Sequence, residues 1–373
     1  MTRVMALHLV FLSTVLVSAQ STDDALPRRP WLGVALGTHA RGALVTGVVE
    51  GSSAAAVGIR VGDVISAVDG GGVRVPGDVI AAFGRHVAGQ TASVEIIRDG
   101  QLQPRVVRLR SFPRETLPGV TFEYGSVTLA DGSRLRTIVS VPDRRAARLP
   151  AVMLIQGGGC NSIDVPLAPD VEMSRLLRTI ATQGYVTLRV EKSGLGDSEG
   201  PACESIGYTQ ELDGYRAALT ALKRHPSVDA EQVFLLGLSL GGLFAPVLAN
   251  ESAIRGIVVY GTLAVPPSPY PGRSDRFFRE IASVDVAAAW STVSSRVLAL
   301  RGQFDEVARE ADHARIAAIV NTRQPGTAAH VELAGLDHCA TRHETMERSR
   351  GNCGKGEDVS TLTDAVLAFL RTS

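Results

Sequence analysis

The sequence has no excess of charge of either sign and no apolar segment long enough to span a membrane. Its 373 residues include 38 basic and 38 acidic side chains, so the formal net charge at pH 7 is zero. This balance gives no reason to expect nucleic acid as a partner. An apolar run covers residues 4–17, which is shorter than the roughly 20 residues that a membrane-spanning helix needs. We therefore expect no membrane span in the mature protein.

Cysteine is also scarce, and its spacing argues against a metal site. The sequence has four cysteines but no C-x-x-C pair and no paired-histidine spacing, which are patterns typical of bound zinc. We expect neither a metal nor another cofactor.

The first 19 residues have the pattern of a secretory signal peptide. Arg3 precedes the apolar run, and Val17 and Ala19 are small residues at the two positions that a signal peptidase inspects. No cysteine follows this cleavage site, so we expect no lipoprotein. We expect residues 1–19 to be removed and the mature protein to be periplasmic or secreted.

What the sequence does contain is a strand, turn and helix pattern around a serine. An apolar run leads into Gly237, Ser239 stands between Gly237 and Gly241, and a helix-like segment follows from Leu240. This G-x-S-x-G spacing in this context is typical of a nucleophile elbow. The turn is so tight that β-carbons at the two glycines would clash. Ser239 is therefore the candidate nucleophile.

A nucleophilic serine needs a histidine as its base, further along the chain. His338 follows an apolar strand pattern at residues 330–333 and a short turn. A histidine at that place lies at the same sheet edge as Ser239, so His338 is the candidate base. His343, in a charged run, is the alternative.

The histidine in turn needs an orienting acid. Asp305 follows a buried strand pattern at residues 296–301, and it is the candidate acid, with Glu306 as the alternative. Asp337 is disfavoured because it is adjacent to the histidine in sequence. Asp305 could instead cap a helix that begins near Val307.

A glycine-rich stretch predicts the site for a negatively charged oxygen. The apolar strand at residues 151–155 runs into Gln156 and three glycines, whose exposed N–H groups suit an oxyanion hole. We expect one donor from the amide of Leu240 and a second from Gly157 or Gly158. The sequence leaves open which of these two amides points inward.

Together these motifs resemble the α/β-hydrolase superfamily over residues 118–373, in particular dienelactone-hydrolase-like esterases and S33-type peptidases. Residues 192–200 are similar to the loop after the fourth strand in such proteins, where Asp197 is interpreted as a turn residue. The resemblance implies an α/β fold with a mostly parallel, doubly wound sheet that opens with a hairpin at residues 120–141. Residues 262–295 are rich in proline and are the expected lid or pocket insert.

A separate pattern occupies residues 31–110. Residues 61–70 read hydrophobe-Gly-Asp-x-Ile-x-x-hydrophobe-Asp-Gly, which resembles PDZ domains of bacterial periplasmic proteases. The resemblance implies a small β-rich domain that binds the C-terminus of a peptide as an added strand. The loop that would receive the terminal carboxylate consists of Leu32, Gly33 and Val34, and Ile80 and Phe83 are candidate pocket walls.

Export makes disulfides possible. Four cysteines allow three pairings, and sequence alone does not choose between them. Cys160 ends the glycine-rich stretch and Cys203 follows the loop at residues 192–200, so both are expected at the rim of the site. We favour the pairs Cys160–Cys203 and Cys339–Cys353. Free thiols or a metal site are the alternatives.

These observations predict a signal peptide at residues 1–19, a PDZ-like domain at 31–110, a linker at 111–119 and an α/β-hydrolase domain at 120–373. The function they favour is hydrolysis of a small carboxylic ester by a Ser-His-Asp mechanism, with the PDZ-like domain as an accessory. A serine peptidase is the first alternative. A peptide-binding adaptor with an inactive hydrolase domain is the second.

Overall fold

The computed structural model describes residues 26–143 and 148–372. The predicted signal peptide lies outside the described residues. Within the described ranges, no helix is both long and apolar enough to cross a membrane. The described chain builds two main β-sheets, the first within residues 34–108 and the second within residues 120–333.

The first sheet belongs to the PDZ-like unit and has the strand order β2-β3-β4-β6-β7, with β5 paired to β4. All of its pairings are antiparallel. The elements are β1 (Pro30–Trp31), β2 (Val34–His39), β3 (Gly42–Val48), α1 (Ser53–Ala56), β4 (Val64–Val68), β5 (Gly71–Gly72), α2 (Pro76–Phe83), β6 (Thr91–Arg98), β7 (Gln101–Arg108) and β8 (Arg110–Ser111).

Strand β7 starts earlier than the sequence pattern indicated. We predicted a strand only at residues 105–109, whereas the strand pairs with β6 from Gln101 onward. The reason is the turn at Asp99 and Gly100, which both have positive φ, as a two-residue hairpin connection requires. This tight turn aligns the two strands along their whole length.

The second sheet has eight strands in the order β16-β15-β14-β13-β11-β12-β10-β9. The strands are β9 (Val120–Thr128), β10 (Arg134–Pro142), β11 (Leu149–Ile155), β12 (Val186–Val190), β13 (Val228–Leu238), β14 (Gly256–Tyr260), β15 (Arg296–Gly302) and β16 (Ala328–Leu333). Strands β11 to β16 pair in parallel, while β9 and β10 form the antiparallel hairpin expected at residues 120–141.

Helices cover both faces of this sheet, as a parallel sheet with buried strands requires. They are α3 (Glu172–Thr182), α4 (Tyr208–Arg224), α5 (Gly241–Glu251), α6 (Asp275–Ala282), α7 (Val286–Ser291), α8 (Glu310–Arg323), α9 (Met346–Ser349) and α10 (Thr361–Thr372). Helices α4, α5, α7 and α8 pack in one apolar core, and α3 and α10 pack in the other. The carboxyl ends of the parallel strands therefore meet at one edge, where ligands bind in sheets of this kind.

The predicted linker is packed against the second sheet. Glu115 is buried and forms an ion pair with Arg189 on β12, and β8 pairs with β1 just before this segment. Upstream, Arg28 Nη1 lies 2.5 Å from Asp197 Oδ2, and Arg136 Nε lies 3.0 Å from the same oxygen. Asp197 lies in a turn, as expected, and its buried carboxylate also forms ion pairs that the sequence did not indicate.

Candidate active site

Ser239 lies in a strained turn between β13 and α5. Its φ is +50°, a conformation that non-glycine residues rarely adopt. A β-carbon at Gly237 would lie 2.9 Å from the carbonyl carbon of Gly241, and one at Gly241 would lie 2.2 Å from the carbonyl oxygen of Ile155. Both glycines of the motif are therefore required by close backbone approach, as expected for an elbow that raises the serine above the sheet edge.

His338 connects Ser239 to Asp305. Its Nδ1 lies 2.8 Å from Asp305 Oδ2, and its Nε2 lies 3.0 Å from Ser239 Oγ. Because the carboxylate can only accept, Nδ1 donates to Asp305 and Nε2 is left to accept from the serine hydroxyl. The structure thus brings together the three residues that the sequence singled out, in the order that serine activation needs.

The two oxygens of Asp305 have separate roles. Oδ2 faces His338, while Oδ1 accepts the amide N–H groups of Val307 and Ala308 at 2.8 Å each. Burial raises the pKa of Asp305, but the hydrogen bond and charge of His338, together with the two amides, hold it below its ordinary value. The carboxylate therefore stays ionised beside the imidazole. Helix α8 begins only at Glu310, so Asp305 does not cap a helix that begins near Val307.

The alternative residues have other partners. Glu306 Oε1 lies 3.0 Å from Arg350 Nε at the surface. His343 Nε2 lies 2.9 Å from Asp337 Oδ2, which makes a second histidine–aspartate pair beside the first. The residue bonded to His338 is therefore Asp305 and not Glu306, and the histidine bonded to Ser239 is His338 and not His343.

The glycine-rich loop, residues 157–159, lies against the serine. A β-carbon at Gly157 would lie 3.2 Å from Ser239 Cβ, and one at Gly158 would lie 2.0 Å from the hydroxyl oxygen of Tyr270. A side chain at Gly158 would therefore require the Tyr270 and Leu240 side chains to move. Gln156 turns away from this loop, because its Nε2 donates to the carbonyl oxygen of Val190 on β12 at 2.9 Å.

A cavity of about 280 Å³, lined by both apolar and polar side chains, opens beside the glycine-rich loop. It is bounded by Gly157 and by Leu238, the residue before the candidate nucleophile. Its apolar walls are Leu154, Ile163, Val165, Val171 and Met173. Such a cavity suits one apolar group of a small substrate.

Both disulfides favoured from the sequence are present. Cys160 is bonded to Cys203 and Cys339 to Cys353, and no cysteine among the described residues is free. The first bridge fixes the end of the glycine-rich loop. The second closes the loop that follows His338.

The PDZ-like groove lies beside the second sheet, which the sequence did not indicate. A cavity of about 680 Å³ is bounded on one side by the predicted carboxylate loop (Leu32, Gly33 and Val34), with Ile80 and Phe83 as expected walls. Its other side is formed by residues of the loop after β12, among them Gly196, Asp197 and Ser198. The short segment at residues 27–30 also lines it. The groove is therefore shared by the two units.

Three further charged residues at the glycine-rich loop were missed from the sequence. Lys192 follows β12, Glu211 is on α4, and Arg273 precedes α6. All three side chains are buried and in contact. They are far apart in the chain, and no local pattern distinguishes them from surface charges.

Comparisons with known proteins agree with both units. Residues 30–109 match the PDZ domain family. The ferulic-acid-bound structure of Est1E from Butyrivibrio proteoclasticus has a TM-score of 0.53 at 17% identity, with 66% of this chain and 98% of that chain covered. The α/β hydrolase GrgF from Penicillium has a TM-score of 0.51 at 14% identity, with 68% and 98% covered. The chain thus combines an N-terminal PDZ domain with an α/β-hydrolase fold.

Two curated relatives share parts of the sequence. "Esterase EstD" of Thermotoga maritima is 27% identical over 129 residues, which is 34% of this chain and 30% of that protein. "Probable periplasmic serine endoprotease DegP-like" of Pseudomonas putida is 33% identical over 158 residues, 38% of this chain and 32% of that protein. The chain spans about a third of the length of these relatives.

Proposed function

We propose that the protein is an exported serine hydrolase that cleaves small carboxylic esters. The observation that carries this proposal is the continuous chain of hydrogen bonds from Asp305 through His338 to Ser239. An adaptor with an inactive hydrolase domain would have no need for this arrangement, or for the strained serine at its end. The likeness to esterases in fold and in part of the sequence supports the same assignment.

In the proposed reaction, Ser239 Oγ attacks the ester carbonyl carbon while His338 Nε2 accepts the hydroxyl proton. The carbonyl oxygen becomes an oxyanion, which the amides of Leu240 and the glycine-rich loop would stabilise. The imidazolium then gives its proton to the leaving alcohol, and an acyl-enzyme remains. A water molecule, activated by the same histidine, releases the carboxylic acid and restores the serine.

The substrate class is inferred from the space beside the glycine-rich loop. The cavity next to Gly157 is lined by six apolar side chains and also by polar side chains, among them Asn161 and Arg189. Its apolar part favours an apolar acyl or alcohol group of modest size. A serine peptidase is the second candidate function, because a groove for a peptide C-terminus lies in the same chain. A panel of p-nitrophenyl esters and aminoacyl or peptidyl anilides separates the two: ester turnover with inert anilides is expected, and the reverse would assign a peptidase.

The nucleophile is tested by Ser239→Ala. We expect ester turnover to fall by up to about 10⁶-fold with an unchanged melting temperature, as in other triad knockouts. A fluorophosphonate probe should label the wild-type protein at Ser239 and leave the variant unlabelled. Retention of more than about a tenth of the activity would mean that another residue is the nucleophile.

The PDZ domain is proposed to bind a peptide that ends in an apolar residue. Its groove is lined by Val34, Leu36, Val79, Ile80 and Phe83, and Ile80 is largely exposed. Fluorescence anisotropy should show binding of peptides with a free carboxylate and no binding of their C-terminal amides. Ile80→Asp should abolish binding without affecting the core, and equal binding of acid and amide would contradict the proposal.

Export is proposed from the N-terminal pattern, and the two disulfides agree with it because they form in oxidising compartments. Cell fractionation should find the mature protein, beginning near Gln20, outside the cytoplasm. Recovery of the full-length chain from the cytoplasm would contradict it.

A further inference from the structure

Every carbonyl oxygen of the glycine-rich loop accepts a hydrogen bond from a buried cation. Lys192 Nζ donates to Gly157 O at 2.6 Å and to Gly159 O at 3.0 Å. Arg273 Nη1 donates to the intervening Gly158 O at 3.1 Å. The next residue, Cys160, is tied by the disulfide described above to Cys203, in a short 3-10 turn that precedes α4. Four consecutive residues are thus tethered by their surroundings.

The two cations share one counterion. Glu211 Oε1 lies 2.9 Å from Lys192 Nζ, and Glu211 Oε2 lies 2.5 Å from Arg273 Nη2. None of the three side chains is more than 2% exposed. The guanidinium of Arg273 also lies 3.8 Å from the ring centre of Phe277. The trio therefore forms a rigid buried group behind the loop.

Such a group is a costly way to stabilise a fold. Buried ion pairs lose their hydration, and replacing them with well-packed apolar side chains is often neutral or stabilising. This trio has one negative and two positive groups, so it carries a net positive charge that a simple ion pair does not. Its contacts with three successive carbonyls point to a geometric role rather than a contribution to stability.

The geometry of the peptide bond indicates what that role is. The C=O of one residue and the N–H of the next point in opposite directions within one planar trans unit. When Lys192 holds the carbonyl of Gly157, the N–H of Gly158 points away from the lysine. When Arg273 holds the carbonyl of Gly158, it orients the N–H of Gly159 in the same manner. A rotated peptide would instead direct a carbonyl oxygen toward the developing negative charge.

We propose that Lys192 and Arg273, bridged by Glu211, are positioning residues that hold the glycine-rich loop in the form that presents the N–H of Gly158 to the oxyanion. This inference rests on the proposed serine mechanism, and it selects Gly158 over Gly157 as the second donor. The proposed insert at residues 262–295 then contributes to catalysis through Arg273.

The test is Lys192→Met. This substitution removes one cation and leaves Glu211 paired with Arg273, so no uncompensated charge is buried. We expect kcat for a p-nitrophenyl ester to fall roughly 10- to 1,000-fold, because complete loss of an oxyanion-hole donor costs about 10²- to 10³-fold. KM should change less than about threefold. Affinity for phenylboronic acid, which forms a tetrahedral adduct on the serine, should fall in parallel with kcat.

Arg136→Met is the matched control. It also removes a buried cation, and Asp197 keeps Arg28 as its partner, but it touches no atom of the glycine-rich loop. We expect a similar loss of melting temperature with kcat within about twofold of the wild type. A folded Lys192→Met variant whose kcat and boronate affinity match those of this control would overturn the proposal.

If Lys192→Met does not fold, Arg273→Lys tests the proposal instead. This variant keeps a positive charge beside Glu211 but loses the forked guanidinium that reaches Gly158, so kcat should fall at least about fivefold. An unchanged kcat would overturn the proposal. The proposed function has a separate test: retained ester turnover in Ser239→Ala would contradict it. A fully active Lys192→Met beside an inactive Ser239→Ala rejects the positioning role alone.

Discussion

The loop after β16 carries two histidines, and each is bonded to an aspartate at nearly the same distance. His338 Nδ1 lies 2.8 Å from Asp305 Oδ2, and His343 Nε2 lies 2.9 Å from Asp337 Oδ2. Both aspartates are almost fully buried. Distance and burial alone therefore do not distinguish a catalytic pair from a structural one.

The two pairs differ in the other hydrogen bonds that their aspartates and histidines form. Asp337 accepts four further bonds, from the amides of Cys339, Thr341 and Gly354 and from the hydroxyl of Thr341. These bonds hold the loop that the second disulfide closes. Asp305 instead keeps one oxygen for His338, whose other ring nitrogen meets Ser239. A candidate base is thus recognised by the nucleophile that its second ring nitrogen faces.

Removing each histidine in turn should have the largest effect on activity. His338→Ala should lower kcat by about 10⁴- to 10⁶-fold with little change in KM, because the serine loses its proton acceptor. His343→Ala should keep kcat within about tenfold and lower the melting temperature, because Asp337 loses a partner. Steady-state kinetics and thermal denaturation of both variants provide the measurement. Comparable losses of kcat would show that the two pairs act together.

The aspartates provide the next contrast. Asp305→Asn should reduce kcat by about 10⁴-fold, because an amide neither fixes the tautomer of His338 nor stabilises its charged form. Asp337→Asn should act mainly on stability, because its amide nitrogen cannot accept the bonds that the carboxylate accepts. Measuring kcat and melting temperature for both variants tests this. A larger kcat loss in a Glu306 variant than in Asp305→Asn would transfer the orienting role to Glu306.

The sequence predicted the part of the site that depends on local patterns. The elbow around Ser239, and loops that follow strands with Asp305 and His338, are recognisable because strand periodicity and glycine spacing are short-range signals. The same short-range patterns predicted the hairpin and the parallel strands, although the ends of these elements differ by a few residues in the structure. The strand β7 began early because two turn residues, and not the apolar pattern, set its register.

Long-range contacts could not be predicted. Lys192, Glu211 and Arg273 come from three distant parts of the chain. In the sequence, a charged residue that the fold buries cannot be distinguished from one at the surface. The ion pairs of Asp197 were missed for the same reason, since Arg28 and Arg136 are distant in sequence. The proximity of the PDZ groove to the loop after β12 likewise has no local signal.

The second disulfide allows a smaller test of the structural pair. The Cys339–Cys353 bridge and Asp337 hold the same loop, so Cys339→Ser/Cys353→Ser should leave part of its order intact. Closing a loop of this size is worth ~3 kcal/mol in the chain-entropy model, and kcat should fall several-fold because His338 adjoins the loop. Chemical denaturation and kinetics of the double variant check this. Stability equal to that of the oxidised wild type would mean that Asp337 alone holds the loop.

The smallest expected effect concerns stability in acid and the charge of Asp305. Burial raises the pKa of Asp305, yet His338 and the amides of Ala308 and Val307 bring it below its ordinary value of 3.8. A carboxyl with a lower pKa in the folded state stabilises the fold above its unfolded pKa, and this contribution is lost as the pH falls through the folded pKa. Asp305→Asn cannot titrate, so between about pH 5 and pH 3 its melting temperature should fall by a few degrees less than that of the wild type. If the melting temperatures of both proteins changed equally with pH, ionised Asp305 would not stabilise the fold through His338. The distinction between the two histidine–aspartate pairs would then depend on geometry alone.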